Sequence, residues 1–301
     1  FMKKLSLYVF LILLFSLFTS YSFAVSFKKS RCGFPKNSVK NLSIKGEKYI
    51  QFTLKDKQKG CSATDRKPRH GAPYWERVEY AQVNTLSKKK NHEINFKVKI
   101  LKGFLGQRET FFQIHNYNEN FMSVYPSLMF KFHPKKNNEC TGCGNYSTRT
   151  INCFNKDGQP KKQCWIEGRG TEEGKWIEGE SYSKSLSFFQ IDYLRDFKCL
   201  KKKGKYCAKS KGGHEEKKFQ TITINDFLKK WINFKIVIPK IINEKGLVTI
   251  FINDKIVFDK VVHFPKRGTP RIKYGIYRPG NLQGNTTSQI LYSKINVNSK
   301  K

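Results

Sequence analysis

Ile250-Phe251-Ile252-Asn253-Asp254-Lys255-Ile256-Val257 is the stretch that decides the fold class. Apolar β-branched and aromatic residues stand on both sides of the polar pair Asn253-Asp254, and such a pair is typical of a tight hairpin turn. Successive residues of a strand point to opposite faces, so the pattern predicts two antiparallel strands and not a helix.

The same alternation of β-branched and aromatic residues recurs along most of the chain, and Gly, Pro, Asn or Asp bound many of the segments. Only residues 224–231 look helical, and that segment is short. The pattern predicts an all-β protein, with a β-jelly roll or sandwich of two antiparallel sheets as the natural architecture. The predicted strands cover residues 49–54, 94–101, 110–115, 127–132, 185–191, 231–238, 248–252, 256–262, 272–277 and 288–297.

The chain has 301 residues, of which 38% are hydrophobic and 14% aromatic, so it can bury a sizeable core. We expect a single domain over residues 25–301. Two insertions interrupt the strand pattern, at residues 134–184 and 196–218, and we expect both to be long surface loops stapled by disulfides. The second holds a lysine-rich run, which is either a solvated loop or a specific binding element.

Eight cysteines, all after residue 24, fit an oxidising compartment. Cys140 and Cys143 have the spacing of a zinc knuckle or a redox pair, but no second CxxC and no paired histidines follow at zinc-finger spacing. The pattern favours disulfides over a metal site, and the sequence does not give the pairing. The cysteines are Cys32, Cys61, Cys140, Cys143, Cys153, Cys164, Cys199 and Cys207.

Residues 1–24 are typical of a secretory signal peptide. Lys3 and Lys4 precede an apolar run over residues 5–18, and small residues at Ser22 and Ala24 predict cleavage after Ala24. An uncleaved membrane anchor is the alternative, although the run is short for a bilayer span. We therefore expect a secreted or periplasmic monomer with no membrane association after signal cleavage.

The net charge of +35, from 58 Lys and Arg against 23 Asp and Glu, predicts a polyanionic partner. Nucleic acid, anionic lipid and acidic polysaccharide all fit this charge. Export argues against nucleic acid as the physiological partner. We therefore expect an anionic polysaccharide.

Three short segments carry the candidate chemistry. We expect each to be part of a strand, the first in addition to the strands given above, so polar residues two positions apart share one face. The residues between them are apolar and are expected to point into the core. Gly275 lies on the polar face, where the missing side chain is expected to leave room for a ligand. The segments are Arg77-Val78-Glu79, Gln113-Ile114-His115 and Lys273-Tyr274-Gly275-Ile276-Tyr277-Arg278.

At these segments the chain resembles the jelly-roll polysaccharide lyases, of the alginate-lyase type and of the heparin-lyase-I and glucuronan-lyase type. Those families carry an Arg-x-Glu strand, a Gln-Ile-His strand and a late Lys-x-Gly-x-Tyr strand in this chain order. The resemblance covers roughly residues 73–297 and implies a concanavalin-like jelly roll that cleaves uronic-acid polymers by β-elimination. It implies no required cofactor and no catalytic metal, and it leaves a structural calcium open.

Two departures from the alginate-lyase pattern leave the substrate open. That pattern continues Arg-x-Glu-x-Arg, whereas position 81 here is Ala. It also ends Tyr-x-Gln, whereas Tyr277 is followed by Arg278 and Pro279.

The resemblance implies catalytic roles for four residues. Arg77 and Gln113 would offset the charge of the uronate carboxylate, which makes the neighbouring proton easier to remove. His115 suits the base, because its ordinary pKa is about 6.5, and Tyr277 is the expected acid. Tyr277 is also the alternative base for one C5 epimer of the sugar.

Three further residues are expected to bind the substrate: Glu79, Lys273 and Arg278. Of these, Glu79 and Lys273 are also expected to orient the other site residues. Positive charge on Lys273, Arg278 and Arg77 would also favour the phenolate of Tyr277. We expect five side chains to converge on the concave face of one sheet, with their tips within about one sugar's width: Arg77, Gln113, His115, Lys273 and Tyr277.

Two other functions stay open at this stage. A non-catalytic carbohydrate-binding jelly roll for acidic glycans would keep the basic cleft without turnover. A basic exported protein that binds lipid or DNA nonspecifically would explain the charge but not the three strands. A hydrolase is not favoured, because no pair of opposed carboxylates is recognisable.

Overall fold

The computed structural model describes most of the chain after residue 24. The described residues are 25–30, 34–60, 65–66, 74–104, 108–117, 126–133, 150–151, 163–166, 175–178, 188–203, 206–228, 230–266, 268–280 and 287–300. Among them, no helix is long and apolar enough to cross a bilayer. The expected signal segment and the side chains of all eight cysteines lie outside the described part.

Strands dominate, as predicted, and the helical segment is a single turn, α1, at Ile224–Phe227. A 3-10 turn lies at Lys36–Ser38. The strands are β1 Phe27–Lys29, β2 Val39–Ile44, β3 Glu47–Leu54, β4 Trp75–Gln82, β5 Asn91–Lys102, β6 Thr110–Tyr117, β7 Pro126–His133, β8 Thr150–Ile151, β9 Gln163–Ile166, β10 Lys175–Glu178, β11 Phe188–Lys203, β12 Tyr206–Thr223, β13 Ile232–Ile238, β14 Lys245–Ile252, β15 Lys255–His263, β16 Thr269–Pro279, β17 Ser288–Ser293 and β18 Asn296–Lys300.

Two large antiparallel sheets make up the fold, which confirms the predicted β-jelly-roll sandwich. The front sheet has the order β1-β4-β16-β6-β7-β11-β12, and the back sheet has the order β15-β14-β13-β5-β17-β3-β2, with β18 paired to β5. The front sheet carries all three segments with candidate chemistry. The strands β4, β16 and β6 of this sheet are distant in sequence but adjacent in space.

Phenylalanine side chains fill the space between the two sheets. Phe112 of the front sheet stacks on Phe96 of the back sheet at 4.7 Å between ring centroids, and Phe96 stacks on Phe234 at 5.1 Å. Each of these rings is at most 4% exposed, and burying such a side chain stabilises the fold by about 1.5–3 kcal/mol. This core is what holds the front sheet in place.

The quoted hairpin joins β14 to β15 with the predicted turn. Asn253 and Asp254 have φ values of 47° and 64°, the left-handed pair that a type I′ turn requires. Asn253 also links the hairpin to the neighbouring strand β13, because its Oδ1 accepts a hydrogen bond from the Asn233 backbone amide at 2.9 Å.

The prediction for residues 196–218 was wrong in one respect. They are not a loop, because they form most of a long antiparallel pair, β11 with β12. Backbone pairing satisfies the amide and carbonyl groups of both strands whatever side chains they carry, so a lysine-rich composition did not prevent a ribbon. Within residues 134–184 the described part is the small sheet β10-β9-β8.

Gly275 sits where β16 bulges against β6. The register shifts between Tyr274 and Tyr277, which adds one residue to β16 and bends it locally. Gly275 has φ +138°, and a Cβ built there would lie 2.1 Å from the Val78 carbonyl oxygen on β4. The absent side chain therefore makes room for the β4 backbone, which corrects the expectation that it makes room for a ligand.

We expect Gly275→Ala to destabilise the protein by at least about 3 kcal/mol, because the new Cβ meets rigid backbone as well as an unfavourable φ. Gly46→Ala is the matched control: Gly46 also has a positive φ, +79°, but nothing lies within 4 Å of its Cβ position. It should lose about 1–2 kcal/mol. Urea unfolding of both variants measures the difference, and equal losses would contradict the close approach at Gly275.

Candidate active site

Strand register brings the three predicted segments together on β4, β16 and β6. Tyr277 lies opposite Arg77, and Lys273 lies opposite Gln113. His115 lies opposite Arg271. The order β4-β16-β6 therefore places residues from three distant parts of the sequence on adjacent strands.

The alternation of faces is as expected. The intervening residues Val78, Ile114 and Ile276 are each 0% exposed and belong to the core. The polar residues lie on the opposite side of the front sheet, which we call the site face.

Glu79 is the centre of the polar network on the site face. Its carboxylate accepts hydrogen bonds from Gln113 Nε2 at 2.6 Å and from Lys273 Nζ at 2.7 Å. Arg77 Nη1 lies 3.4 Å from the same carboxylate. Glu79 is 1% exposed, and a charge this deeply buried is tolerable only with such partners.

Arg77 is held from three sides. Its Nη2 donates to Asp65 Oδ1 at 2.8 Å, and its guanidinium carbon lies 4.2 Å from the ring centroid of Tyr277. Burial opposes the charge of Arg77, but Glu79, Tyr277 and Asp65 outweigh burial and raise its pKa. Arg77 is therefore a permanent cation in a fixed orientation.

Tyr277 lies between two neighbours from β4. The ring centroids of Trp75 and Tyr277 are 4.8 Å apart. The guanidinium of Arg77 lies over the Tyr277 ring. The phenol is therefore placed beside a guanidinium, as the sequence predicted for Arg77.

His115 and Lys273 both have lowered pKa values. Burial, followed by the charge of Lys273, lowers the pKa of His115 to about 3. Burial also lowers the pKa of Lys273 to about 8, although Glu79 opposes this change. His115 Nδ1 lies 2.9 Å from the Asn116 carbonyl oxygen; a carbonyl only accepts, so Nδ1 carries the proton and Nε2 is the basic nitrogen.

The backbone positions of His115 and Tyr277 lie at opposite ends of the network. His115 is five residues from Thr110, the residue opposite Tyr277, which is about 16 Å along the strand. Both residues nevertheless belong to the same face of one sheet. The expected spacing of one sugar's width concerns their side-chain tips and stays a prediction.

Arg278 is not on the site face, which corrects its predicted role in substrate binding. It is 1% exposed and lies between the sheets, where Nε donates to Glu76 Oε2 at 2.6 Å and Nη1 donates to Ser288 Oγ at 2.6 Å. The alternation of β16 explains this placement: Arg278 follows Tyr277 and so points the other way. Its charge is satisfied inside the sandwich.

Asp65 and Arg271 are site residues that the sequence analysis missed. Arg271 lies two residues before Lys273 on β16, and its charge helps to lower the pKa of both Lys273 and His115. The alternation could have identified it. Asp65 could not be found in this way, because it belongs to a connection without periodicity.

A metal site is not seen in the ranges that the structure describes: they hold no group of three or more His, Cys, Asp or Glu placed to bind a metal ion. The cysteines expected to form disulfides cannot be placed, because their side chains lie outside the described part.

Comparison with known proteins gives a family and several similar folds. A family model described as polysaccharide lyase matches residues 26–296. The endo-β-1,4-glucuronan lyase of the fungus Trichoderma reesei is 12% identical, with a TM-score of 0.49, and the match covers 93% of this chain and 92% of that one. Alginate lyase AlyC3 is 12% identical, with a TM-score of 0.44, over 84% of this chain and 75% of that one. No curated protein matches this chain.

We expect Lys273→Met to raise the pKa of His115, because it removes a positive charge near the imidazole while leaving most of the burial. NMR titration of the histidine rings measures this change. His92 on β5 is the internal control: burial lowers its pKa too, but its charged neighbour is Lys90, so its titration should not move.

The sign of the effect on stability follows from the lowered pKa of His115. Between about pH 3 and its ordinary value of about 6.5, the unfolded state binds the proton and the folded state does not. The stability due to His115 is therefore lost as the pH falls through this window.

An unchanged His115 titration in the Lys273→Met variant would contradict the electrostatic coupling.

Proposed function

This chain belongs to the polysaccharide lyase family, whose model matches residues 26–296, and from that membership we propose that it cleaves a uronic-acid-containing anionic polysaccharide by β-elimination. One observation carries the choice of substrate class. The buried carboxylate of Glu79 gathers Arg77, Gln113 and Lys273 on one face, and these are the groups that can receive a second carboxylate, from the sugar.

The hydrogen-bonding capacity of these groups fits that task. Gln113 has a second amide N–H besides the one donated to Glu79, and Lys273 has two further donors. Arg77 Nε is buried and has no hydrogen-bond partner among the described residues. Charge-assisted hydrogen bonds from such donors stabilise the extra negative charge that develops when the α-proton of a uronate leaves.

The reaction needs a base, an acid and no water. The base takes the proton at C5, a double bond forms between C4 and C5, and the C4–oxygen bond breaks. We assign to Tyr277 the role of the acid, which donates a proton to the departing oxygen. We assign proton removal to neutral His115 through Nε2, and orientation of the network to Glu79 and Lys273.

The register supports a second assignment of the base. Because the backbones of His115 and Tyr277 are about 16 Å apart along the strand, Tyr277 is the alternative group that both removes the proton and returns it to the oxygen. Its neighbour Arg77 favours the phenolate that such a role requires.

A hydrolase fits this site less well. The two carboxylates closest to Arg77 are Glu79 and Asp65, and both interact with its guanidinium. Both are at most 1% exposed, so neither is placed as one of two carboxyl groups that face each other across a glycosidic bond.

Export and the physiological partner are parts of the same proposal. The basic start and apolar run of residues 1–24 support secretion or a periplasmic location, and the net charge of +35 supports a polyanionic substrate. We propose that the enzyme acts outside the cytoplasm on its polysaccharide as a monomer.

Incubation of the protein with a panel of uronate polymers tests the proposed function. The expected product carries an unsaturated uronate, which absorbs ultraviolet light, and neutral polysaccharides should give none. Tyr277→Phe should lower the rate by roughly 100-fold or more, the usual scale for losing a positioned acid or base. Tyr274→Phe is the matched control, because Tyr274 is on the same strand but in the core. Absence of absorbance with every uronate polymer would refute the proposed substrate class.

His115→Asn separates the two assignments of the base. If His115 removes the proton, the variant should lose roughly 100-fold or more in kcat, because the amide keeps a polar group there but is not basic. Rates are compared at saturating substrate on polymers of each C5 epimer. A variant that keeps wild-type kcat on both epimers would assign proton removal to Tyr277.

A further inference from the structure

A second polar cluster lies on the site face, on β7 and β11. Lys131 forms an ion pair with Asp192, and Gln190 Nε2 donates to Asp192 Oδ1 at 2.5 Å. The three side chains are at most 7% exposed, so they are buried almost as deeply as Glu79. The proposed chemistry uses none of them.

The strand register places this cluster in line with Tyr277. Tyr277 lies opposite Thr110, Thr110 lies opposite Lys131, and Lys131 lies opposite Gln190. Neighbouring strands are about 4.8 Å apart, so Lys131 and Gln190 lie roughly 10 Å and 14 Å from Tyr277 across the sheet. A sugar chain that crosses the strands from Tyr277 therefore passes over the cluster.

The cluster is incomplete in its hydrogen bonding. Gln190 is 0% exposed, and its Oε1 has no hydrogen-bond partner in the part of the chain that the structure describes. A buried acceptor without a donor is destabilising, so such an atom marks a place where a donor belongs. Lys131 has N–H donors beyond the one that binds Asp192.

A hydroxyl group is complementary to both the acceptor Gln190 Oε1 and the donor Lys131 Nζ. It can donate its proton to Gln190 Oε1 and accept a hydrogen bond from Lys131 Nζ at the same time. A carboxylate matches less well, because it only accepts and Asp192 already neutralises Lys131. Asp192 holds both partners in place, since its two oxygens accept from Lys131 and Gln190.

We propose that Lys131, Asp192 and Gln190 form a subsite that binds a hydroxyl of a sugar unit away from the scissile bond. The inference rests on the proposed function, and it names a specificity-determining group for that reaction. The sugar hydroxyl carries no charge, and Asp192 neutralises Lys131. The contribution of this subsite should therefore persist at high salt, unlike long-range attraction of a polyanion by the net positive charge of the chain.

Gln190→Met tests the subsite. The change keeps the volume of the side chain and removes both the acceptor and the N–H donor to Asp192. It is assayed on purified alginate and glucuronan oligosaccharides of increasing length, using whichever polymer the wild type cleaves. We expect kcat/KM to fall by about 3- to 10-fold, the scale of one neutral hydrogen bond, on oligosaccharides long enough to reach from Tyr277 to Gln190. Oligosaccharides too short to reach Gln190 should lose less kcat/KM. This step in the loss of kcat/KM with oligosaccharide length should appear at high salt as well.

Gln51→Met is the matched control. Gln51 lies on β3 in the back sheet, and its Nε2 donates to Thr53 two residues along the strand, as Gln190 donates to Asp192. This variant should show no step with length. Should Gln190→Met not fold, the double variant Lys131→Met with Asp192→Met removes the ion pair as a unit, and it is expected to show the same step.

The outcomes separate the subsite from the reaction. A loss of the same size at every oligosaccharide length would show that Gln190 supports only the fold, and would overturn the subsite. Failure of the wild type to cleave any uronate polymer would overturn the proposed function and the subsite together, before any variant is compared.

Discussion

The buried carboxylate of Glu79 is the interaction on which the site depends. A carboxylate that is 1% exposed must be surrounded by donors, and here they come from all three strands: Arg77 on its own strand, Lys273 on β16 and Gln113 on β6. Loss of one donor would leave a buried charge less well paired. The same contacts that stabilise Glu79 therefore hold the proposed catalytic side chains in one arrangement before any substrate arrives.

Two of the register shifts in the front sheet shape the face between Lys273 and Tyr277. β16 carries an extra residue against β6 next to Gly275, and β6 carries one against β7 next to Phe111. Between Tyr277 and Lys273 there are four residue steps on β16, whereas Lys131 and Met129, their counterparts in register on β7, are two steps apart. The rows of side chains thus spread towards β4, where the proposed chemistry lies, and close towards β11.

Period-two alternation was enough to predict most strands of the two large sheets, the two-sheet class and the faces of Arg77, Gln113 and Tyr277. It missed β1, β2 and β12. It could not give strand order, because β4, β6 and β16 become neighbours through contacts distant in sequence. Alternation does place Arg278 on the face opposite Tyr277, but the usual preference of arginine for solvent argues against a buried position there. The ion pair with Glu76 overrides that preference inside the sandwich. Asp65 lies in a segment without period-two alternation, so only the folded structure shows that it contacts Arg77.

Charge acts at two scales in this protein. Around His115, the cations Arg77, Lys273 and Arg271 face the carboxylates of Glu79 and Asp65, which leaves room for about one more negative charge, such as that of a single uronate. The remaining positive charge of the chain lies elsewhere, where it raises the local concentration of a polyanion but does not choose which bond breaks. Selectivity along the polymer must therefore come from short-range contacts. The proposed subsite of Lys131, Asp192 and Gln190 carries no net charge and is suited to that task, because hydrogen bonds to a hydroxyl depend on its position and hardly on the number of charges.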